Sequence, residues 1–398
     1  MRILFLDVDV HYFNPTRGLQ GRLVSLAGDV RCFGPGYVSS EVLASGLPAF
    51  VARYGPFDVA IMTEHIAFAE DYVGAAVLDS YRRNYAFRFP MADLQRRGDM
   101  RRAFCALPMP KVAFLLESDY YNFTSEQIKG LSAVADWLVG WNGDFVKPKA
   151  ELSGLERESF GHKANDHWAN FVCAGHARMI PLVHFVADEE FSFTALSHRA
   201  ADWCVPGILY DARHRARTAL ISAGCTMSRR HRWPIAPVLT RMGLHPFSRP
   251  LFTVWYQEMF RREIHQARFA FTCGSGLQWP IRKFFEIPAL GAVLVCVPCN
   301  GFEALGFRDG ENAIICKPEA LPEIGRRLSA DPNTAQAIAD AGRRLVGACH
   351  TVSVRAVQLR TALEAALAGR WHGAHWVKGR MVPDDPVVAT VAVPGAHG

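Results

Sequence analysis

Short apolar runs, each ending in polar residues, recur along the first third of the chain. Ile3-Leu4-Phe5-Leu6 leads into Asp7-Val8-Asp9, and Val30-Arg31-Cys32-Phe33 is closed by Gly34-Pro35-Gly36. Val59-Ala60-Ile61-Met62 ends at Thr63-Glu64-His65, and Val112 to Leu116 ends at Glu117-Ser118-Asp119. Apolar runs without polar alternation predict strands buried on both faces, as in a parallel sheet. A loop from His11 to Gly18 and a helical stretch to Ala27 separate the first two runs, which makes one βαβ unit. Ligands of such sheets gather at the carboxyl ends of the strands, where the polar tails lie.

Near residue 200 the pattern restarts. A His/Arg-rich stretch, His198 to Arg217, surrounds the strand-like Trp203-Cys204-Val205-Pro206-Gly207. Phe269 to Thr272, Ala292 to Val295 and Ala313 to Ile315 follow as strands, and Ser329 to Val346 reads as a helix entered through Asp331-Pro332. The expected fold class is therefore α/β, with two Rossmann-like doubly wound domains facing a cleft. The expected division is residues 1–204 and 205–368, followed by a Gly/His/Pro-rich, partly disordered tail over 369–398.

Composition narrows the class. Half of the 398 residues are hydrophobic and 21% are charged, which excludes general disorder and provides for two cores. No apolar run approaches the roughly 18–20 residues of a membrane span, and Asp7 interrupts the first run too early for a signal-peptide core. The ten cysteines are scattered, and Cys296-Val-Pro-Cys299 lacks the second pair that a structural zinc site needs. These features predict a soluble, cytoplasmic protein. The net charge of +6 suits phosphorylated ligands or peripheral contact with an anionic inner membrane face, and is too weak for a nucleic-acid stripe.

The densest chemistry lies between residues 272 and 311. Thr272-Cys273-Gly274-Ser275-Gly276 follows a strand and offers backbone N–H groups to a phosphate, with Arg282 and Lys283 nearby in sequence. Glu286, in a short helix limited by Pro288, can accept two hydrogen bonds from a ribose diol; the alternative is that it complements the helix dipole. The cluster His162-Lys-Ala-Asn-Asp166-His167 is polar and reads as a surface loop. No Gly-x-Gly-x-x-Gly follows the first strand, which disfavours a dinucleotide oxidoreductase.

Lys283-Phe-Phe-Glu286-Ile-Pro-Ala-Leu-Gly291-Ala-Val-Leu-Val295 resembles the C-terminal signature of GT-B glycosyltransferases, with the CgeB-like, "glycosyl transferases group 1" branch the nearer match. The likeness continues through Leu305 to Asn312, Ile338 to Arg343, His350-Thr351 and Arg355. It implies a C-terminal domain that binds a nucleotide-sugar donor and an N-terminal domain that binds the acceptor. By the same resemblance Glu286 matches a ribose-binding glutamate. Arg213, in Val205-Pro206-Gly207-x-x-Tyr210-x-x-Arg213, matches a clamp on the donor diphosphate; the alternative is a generally basic helix with His214, Arg215 and Arg217.

Gln278 departs from the pattern, since related retaining enzymes often carry a glutamate eight residues before the ribose glutamate, so stereochemistry stays open. His11 and Asp119 are the candidate bases for an acceptor hydroxyl, with Asp9 and Glu117 competing. Neither a catalytic metal nor a cofactor is expected. The implied activity is sugar transfer to a hydroxyl of a glycan or lipid-linked acceptor, in surface polysaccharide or glycoconjugate synthesis. The alternatives are a protein or modified nucleic-acid base as acceptor, or a degenerate protein that binds nucleotide sugars without turnover.

Overall fold

The computed structural model describes residues 1–9, 15–67, 90–115, 123–152, 166–207, 209, 211–228, 250–274 and 276–385. Its first sheet has six parallel strands in the order β2-β1-β3-β4-β5-β6. These are β1 (Arg2–Leu6), β2 (Asp29–Phe33), β3 (Val59–Met62), β4 (Lys111–Leu115), β5 (Trp137–Gly140) and β6 (Met179–Pro181). The four predicted runs are β1 to β4. Residues Ile3, Leu4, Phe5, Val59, Ala60, Ile61, Val112, Ala113 and Phe114 are all fully buried, as helices on both faces require. Among the described residues, the α-helices before the second sheet are α1 (Pro15–Ala27), α2 (Ser40–Tyr54), α3 (Glu64–Ala67), α4 (Met91–Gln95), α5 (Arg97–Cys105), α6 (Ser125–Ser132) and α7 (His167–Ala174).

The second sheet has four parallel strands in the order β10-β9-β8-β7. They are β7 (Ala201–Cys204), β8 (Ala267–Thr272), β9 (Val293–Cys296) and β10 (Ile314–Ile315). They alternate with α8 (Asp211–Ser222), α9 (Pro250–His265), α10 (Lys283–Ala289), α11 (Leu321–Ala330) and α12 (Pro332–Cys349). At the start of α12 the Asp331 carboxylate accepts from Thr334 N–H at 3.0 Å and Pro332 takes the first helical position, as the sequence predicts. Among the described residues, no helix is long and apolar enough to cross a membrane.

Two boundaries differ from expectation. The division at residues 204/205 falls too late, because β7 hydrogen-bonds to β8 and so belongs to the second sheet. The segment set apart as a tail from residue 369 does not lie outside both domains: β11 (Ala374–Val377) and β12 (Arg380–Pro383) form an antiparallel hairpin that packs beside β6 of the first sheet. Two tryptophans explain the packing. Trp371 and Trp376 are buried, Trp371 Nε1–H donates to Met179 O at 3.2 Å, and Asn142 Nδ2 donates to Ala374 O at 3.1 Å. The last helix of the described residues, α13 (Val352–Leu367), also returns to the first domain, where the Arg360 guanidinium caps Ala27 O and Leu26 O of α1.

The carboxyl ends of the two sheets face one another. Trp141, just after β5, meets Trp279, beyond β8, edge to face at 3.8 Å between ring centres. Asn300, after β9, donates to Phe145 O at 3.0 Å and to Leu277 O at 3.4 Å. The loops of both sheets where ligands gather thus meet across the domain boundary.

Candidate active site

In the second domain three segments converge at the carboxyl ends of β7 and β8. The chain leaves β7 through Val205-Pro206 and turns at Gly207, whose φ of 87° lies in the left-handed region. Arg213, in the first turn of α8, is fully buried; its guanidinium donates to Cys273 O at 3.2 Å and lies 3.4 Å from Thr272 Oγ1. Lys283, the first residue of α10, reaches across Gly207. A β-carbon at Gly207 would stand 2.4 Å from Lys283 Cε, 3.0 Å from Nζ and 3.5 Å from an Arg213 terminal nitrogen. Burial, and then the charge of Arg213, lower the Lys283 pKa to about 8. Two cations held together at a strand-end crevice favour a polyanionic ligand such as a diphosphate.

Gly274 forms the adjoining turn. Its carbonyl accepts from Trp279 N–H at 2.8 Å, and a β-carbon there would come 2.7 Å from the Gln278 backbone. Gln278 has a φ of 55°, and its carbonyl accepts from Asn300 N–H at 2.6 Å. Gly276 is buried, and Ser275 lies outside the described residues.

Arg282 faces a different partner set. It donates to both oxygens of Glu190, in the segment joining the domains, to Glu286 Oε1 at 2.7 Å and to Phe185 O at 3.3 Å. Burial opposes its charge, but Glu286 and Glu190 outweigh it and hold the Arg282 pKa above its ordinary value. The structure therefore brings Arg213 and Lys283 together and gives Arg282 to a carboxylate pair that fixes α10 and orients Glu286.

In the first domain the strand order reverses between β1 and β3, the switch point of the sheet. There Asp7 Oδ1 accepts from Val8 N–H at 2.8 Å and Thr63 Oγ1 at 2.5 Å, and lies 2.7 Å from His65 Nδ1. Gln20 donates to Glu64 Oε1 at 3.2 Å, and the Arg97 guanidinium donates to His65 O at 3.2 Å. All six side chains are buried. Gly34 permits the close approach of the next loop, since a β-carbon there would overlap Asp7 O at 1.7 Å. A carboxylate on Nδ1–H directs the basic lone pair of an imidazole to Nε2.

The sequence marked Asp7 and His65 only as polar tails of separate strands. Adjacency of β1 and β3 is what pairs them, and a single sequence does not display it. His11, Asp119 and Glu117 lie outside the described residues, whereas Asp9 is described and partly buried. Cys296 and Cys299 are free, buried thiols, and burial pushes both up.

Residues 248–361 match the model of the glycosyl transferase-like family, a span that holds β8, β9, β10 and α10 with Lys283 and Glu286. Solved structures also resemble the chain. Sucrose-phosphate synthase from Thermosynechococcus elongatus shares 13% identity over 93% of this chain and 100% of its own, with a TM-score of 0.49. Anabaena Alr3699/HepE, solved with UDP and glucose, shares 13% over 92% and 100%, with a TM-score of 0.46. A glycosyltransferase from Rickettsia africae shares 10% over 92% and 98%, with a TM-score of 0.47. No curated protein sequence matches the chain.

Proposed function

From the glycosyl transferase-like domain over residues 248–361 we infer that the chain is a glycosyltransferase, and we propose that it moves a sugar from a nucleotide-sugar donor to an acceptor hydroxyl. The observation that carries the donor reading is the convergence of Arg213 and Lys283 on Gly207. Departure of the sugar leaves charge on a nucleoside diphosphate, and two cations fixed side by side stabilise that charge as it develops. In this reading Glu286, held by Arg282, accepts the ribose hydroxyls, and the 274–276 turn lies against the phosphates. Across the facing loops, Asp7 orients His65 to take the acceptor proton, with His11 and Asp119 as rival bases. The transfer step as proposed invokes neither metal nor cofactor.

The acceptor in this reading is a glycan or lipid-linked sugar of a surface polysaccharide or glycoconjugate, reached at the cytoplasmic face of an anionic membrane. The charge of +6 supports the membrane part. Co-sedimentation with anionic vesicles at low salt tests it, and no retention removes it.

Thermal shifts with nucleoside diphosphates and nucleotide sugars test the donor site. A ligand of the folded state raises Tm, and Arg213→Ala should abolish the rise. Equal shifts in wild type and Arg213→Ala would place the nucleotide elsewhere. A second reading, a binding protein without turnover, draws on Gln278. Donor binding with no nucleoside diphosphate released over a broad acceptor panel would favour it.

A further inference from the structure

A second set of ligating side chains gathers where the C-terminal hairpin meets the first domain. His176 comes from the turn His176–Arg178 before β6, His375 from β11, and Asp384 from the residue after β12. His176 Nε2 lies 2.5 Å from Asp384 Oδ2, and His375 Nε2 lies 3.7 Å from Asp384 Oδ1. One ligand atom from each of the three residues falls within 4.8 Å of the others. The two imidazoles stack at 4.6 Å between centres, with 23° between their planes.

Two features set this cluster apart from a chance surface grouping. The first is a carboxylate behind an imidazole: Asp144 Oδ1 lies 3.2 Å from His375 Nδ1, which leaves the lone pair on Nε2, the nitrogen that faces Asp384. Asp144 is itself positioned, with Oδ2 accepting from Trp376 N–H at 2.9 Å and from Asn142 Nδ2 at 3.1 Å. The second is space made by the backbone. Gly373 has a φ of 114°, and a β-carbon there would stand 2.5 Å from His176 Nε2 and 2.8 Å from Asp384 Oδ2. Only glycine lets the histidine and the carboxylate meet.

We propose that His176 Nε2, His375 Nε2 and Asp384 bind a divalent transition metal of the zinc type, with solvent in the remaining position and Asp144 orienting His375. Two imidazoles and a carboxylate suit zinc, cobalt or nickel over magnesium or calcium, which prefer all-oxygen shells. Ligand bonds of about 2.0–2.2 Å separate tetrahedral ligand atoms by roughly 3.4 Å, so His375 and Asp384 already stand at near the right spacing. His176 and Asp384 would open by about 1 Å through side-chain rotation. The ion would clip the hairpin, and with it the buried Trp371 and Trp376, to the first domain. Its role is structural and does not depend on the sugar-transfer reading.

Calorimetric titration of zinc chloride into the untagged full chain tests the site. The expected result is one ion per chain and a raised Tm, with no comparable binding of magnesium. His375→Ala, at an exposed position, should keep the metal-free Tm and abolish binding, and Asp144→Asn should weaken it about tenfold. The cobalt form should show visible bands of tetrahedral coordination without thiolate charge transfer. Absence of zinc binding would overturn the proposal. So would undiminished binding in both His375→Ala and Asp384→Asn, or a thiolate band that assigns the ion to cysteines.

Discussion

Lys283 Cε lies against the α-carbon of Gly207, with room for no β-carbon between them. The contact links the turn after β7 to the first residue of α10, two segments far apart in the chain. It also sets how near the ammonium stands to Arg213.

Gly207→Ala should therefore act twice. An alanine at a φ of 87° is strained by about 1–2 kcal/mol, and its methyl group displaces Lys283 from the crevice. The expected outcome is a modest loss in urea unfolding together with at least about tenfold weaker nucleoside diphosphate binding, a difference of about 1.4 kcal/mol. Gly310→Ala is the control, since its φ is 72° but nothing stands within 4 Å. It should cost similar stability and leave nucleotide affinity unchanged.

Lys283 should make binding consume protons. Its pKa of about 8 in the folded protein is below the unfolded 10.5, so its charge destabilises the native state below pH 8, and this penalty is relieved as pH rises from about 8 to 10.5. A diphosphate beside it favours the ammonium. Affinity should then fall as pH climbs above 8, and calorimetry in buffers of different ionisation enthalpy should show proton uptake near that pH. Lys283→Met should remove the uptake, weaken the nucleotide, and leave the ligand-free protein as stable as wild type or more so at pH 7.

Glu190→Ala tests the anchoring of α10. Removing the carboxylate leaves Arg282 with Glu286 and the Phe185 carbonyl as its remaining described partners and costs the paired charge-assisted bonds, about 2–3 kcal/mol. Because Glu286 then carries the whole guanidinium, nucleotide affinity should fall as well. Glu190→Gln, which retains one acceptor oxygen, should recover part of the stability. Chemical denaturation with parallel calorimetry separates the two effects.

Much of this arrangement was legible in the sequence, and the limit has a physical cause. Continuous apolar runs marked β1, β3, β4, β8 and β9, because a strand buried on both faces needs no polar position; β2, with Arg31 inside it, is an edge strand that buries only Phe33 fully. The stretches Trp137–Gly140 and Met179–Pro181 end in a glycine and a proline, residues that equally mark turns, so the sequence does not display β5 and β6. Gly274, Arg282, Lys283 and Glu286 stood out because they lie within one short segment. Which of the two cations faces Arg213 depends on the direction in which α10 leaves its loop, and only the packing around Gly207 decides that. The Asp7–His65 pair needed the sheet order, and the packing of the hairpin needed the surfaces that receive Trp371 and Trp376.

His65→Gln and Asp7→Asn address acceptor activation. General-base assistance contributes about 10²–10⁴-fold, so His65→Gln should lower kcat by at least about 100-fold and leave the nucleotide Kd unchanged, since the dyad belongs to the other domain. Asp7→Asn should disturb both turnover and folding, because Asp7 Oδ1 also accepts from Val8 and Thr63. His11→Ala and Asp119→Ala belong in the same assay. Full turnover in His65→Gln with loss in either of these would transfer the role.

The acid limb of stability should trace to His350, at the crossing between α12 and α13. Its carbonyl accepts from Val186 N–H at 3.1 Å, Nε2–H donates to Leu305 O at 2.8 Å, and Nδ1 accepts from the Arg355 guanidinium. Arg355 lies over the Trp376 ring at 4.2 Å, so the histidine ties both domains and the hairpin together. Burial, reinforced by Arg355, holds the His350 pKa well below 6.5. The unfolded chain then binds a proton that the native state refuses as pH falls through 6.5, and stability declines toward acid. His350→Phe keeps the stack on Phe307 but strands Leu305 O and one Arg355 nitrogen, at about 1–3 kcal/mol each. The variant should be less stable than wild type at pH 7.5, yet lose less between pH 6.5 and 5. Urea midpoints across that range measure the difference, and parallel declines in the two proteins would assign the acid sensitivity to other groups.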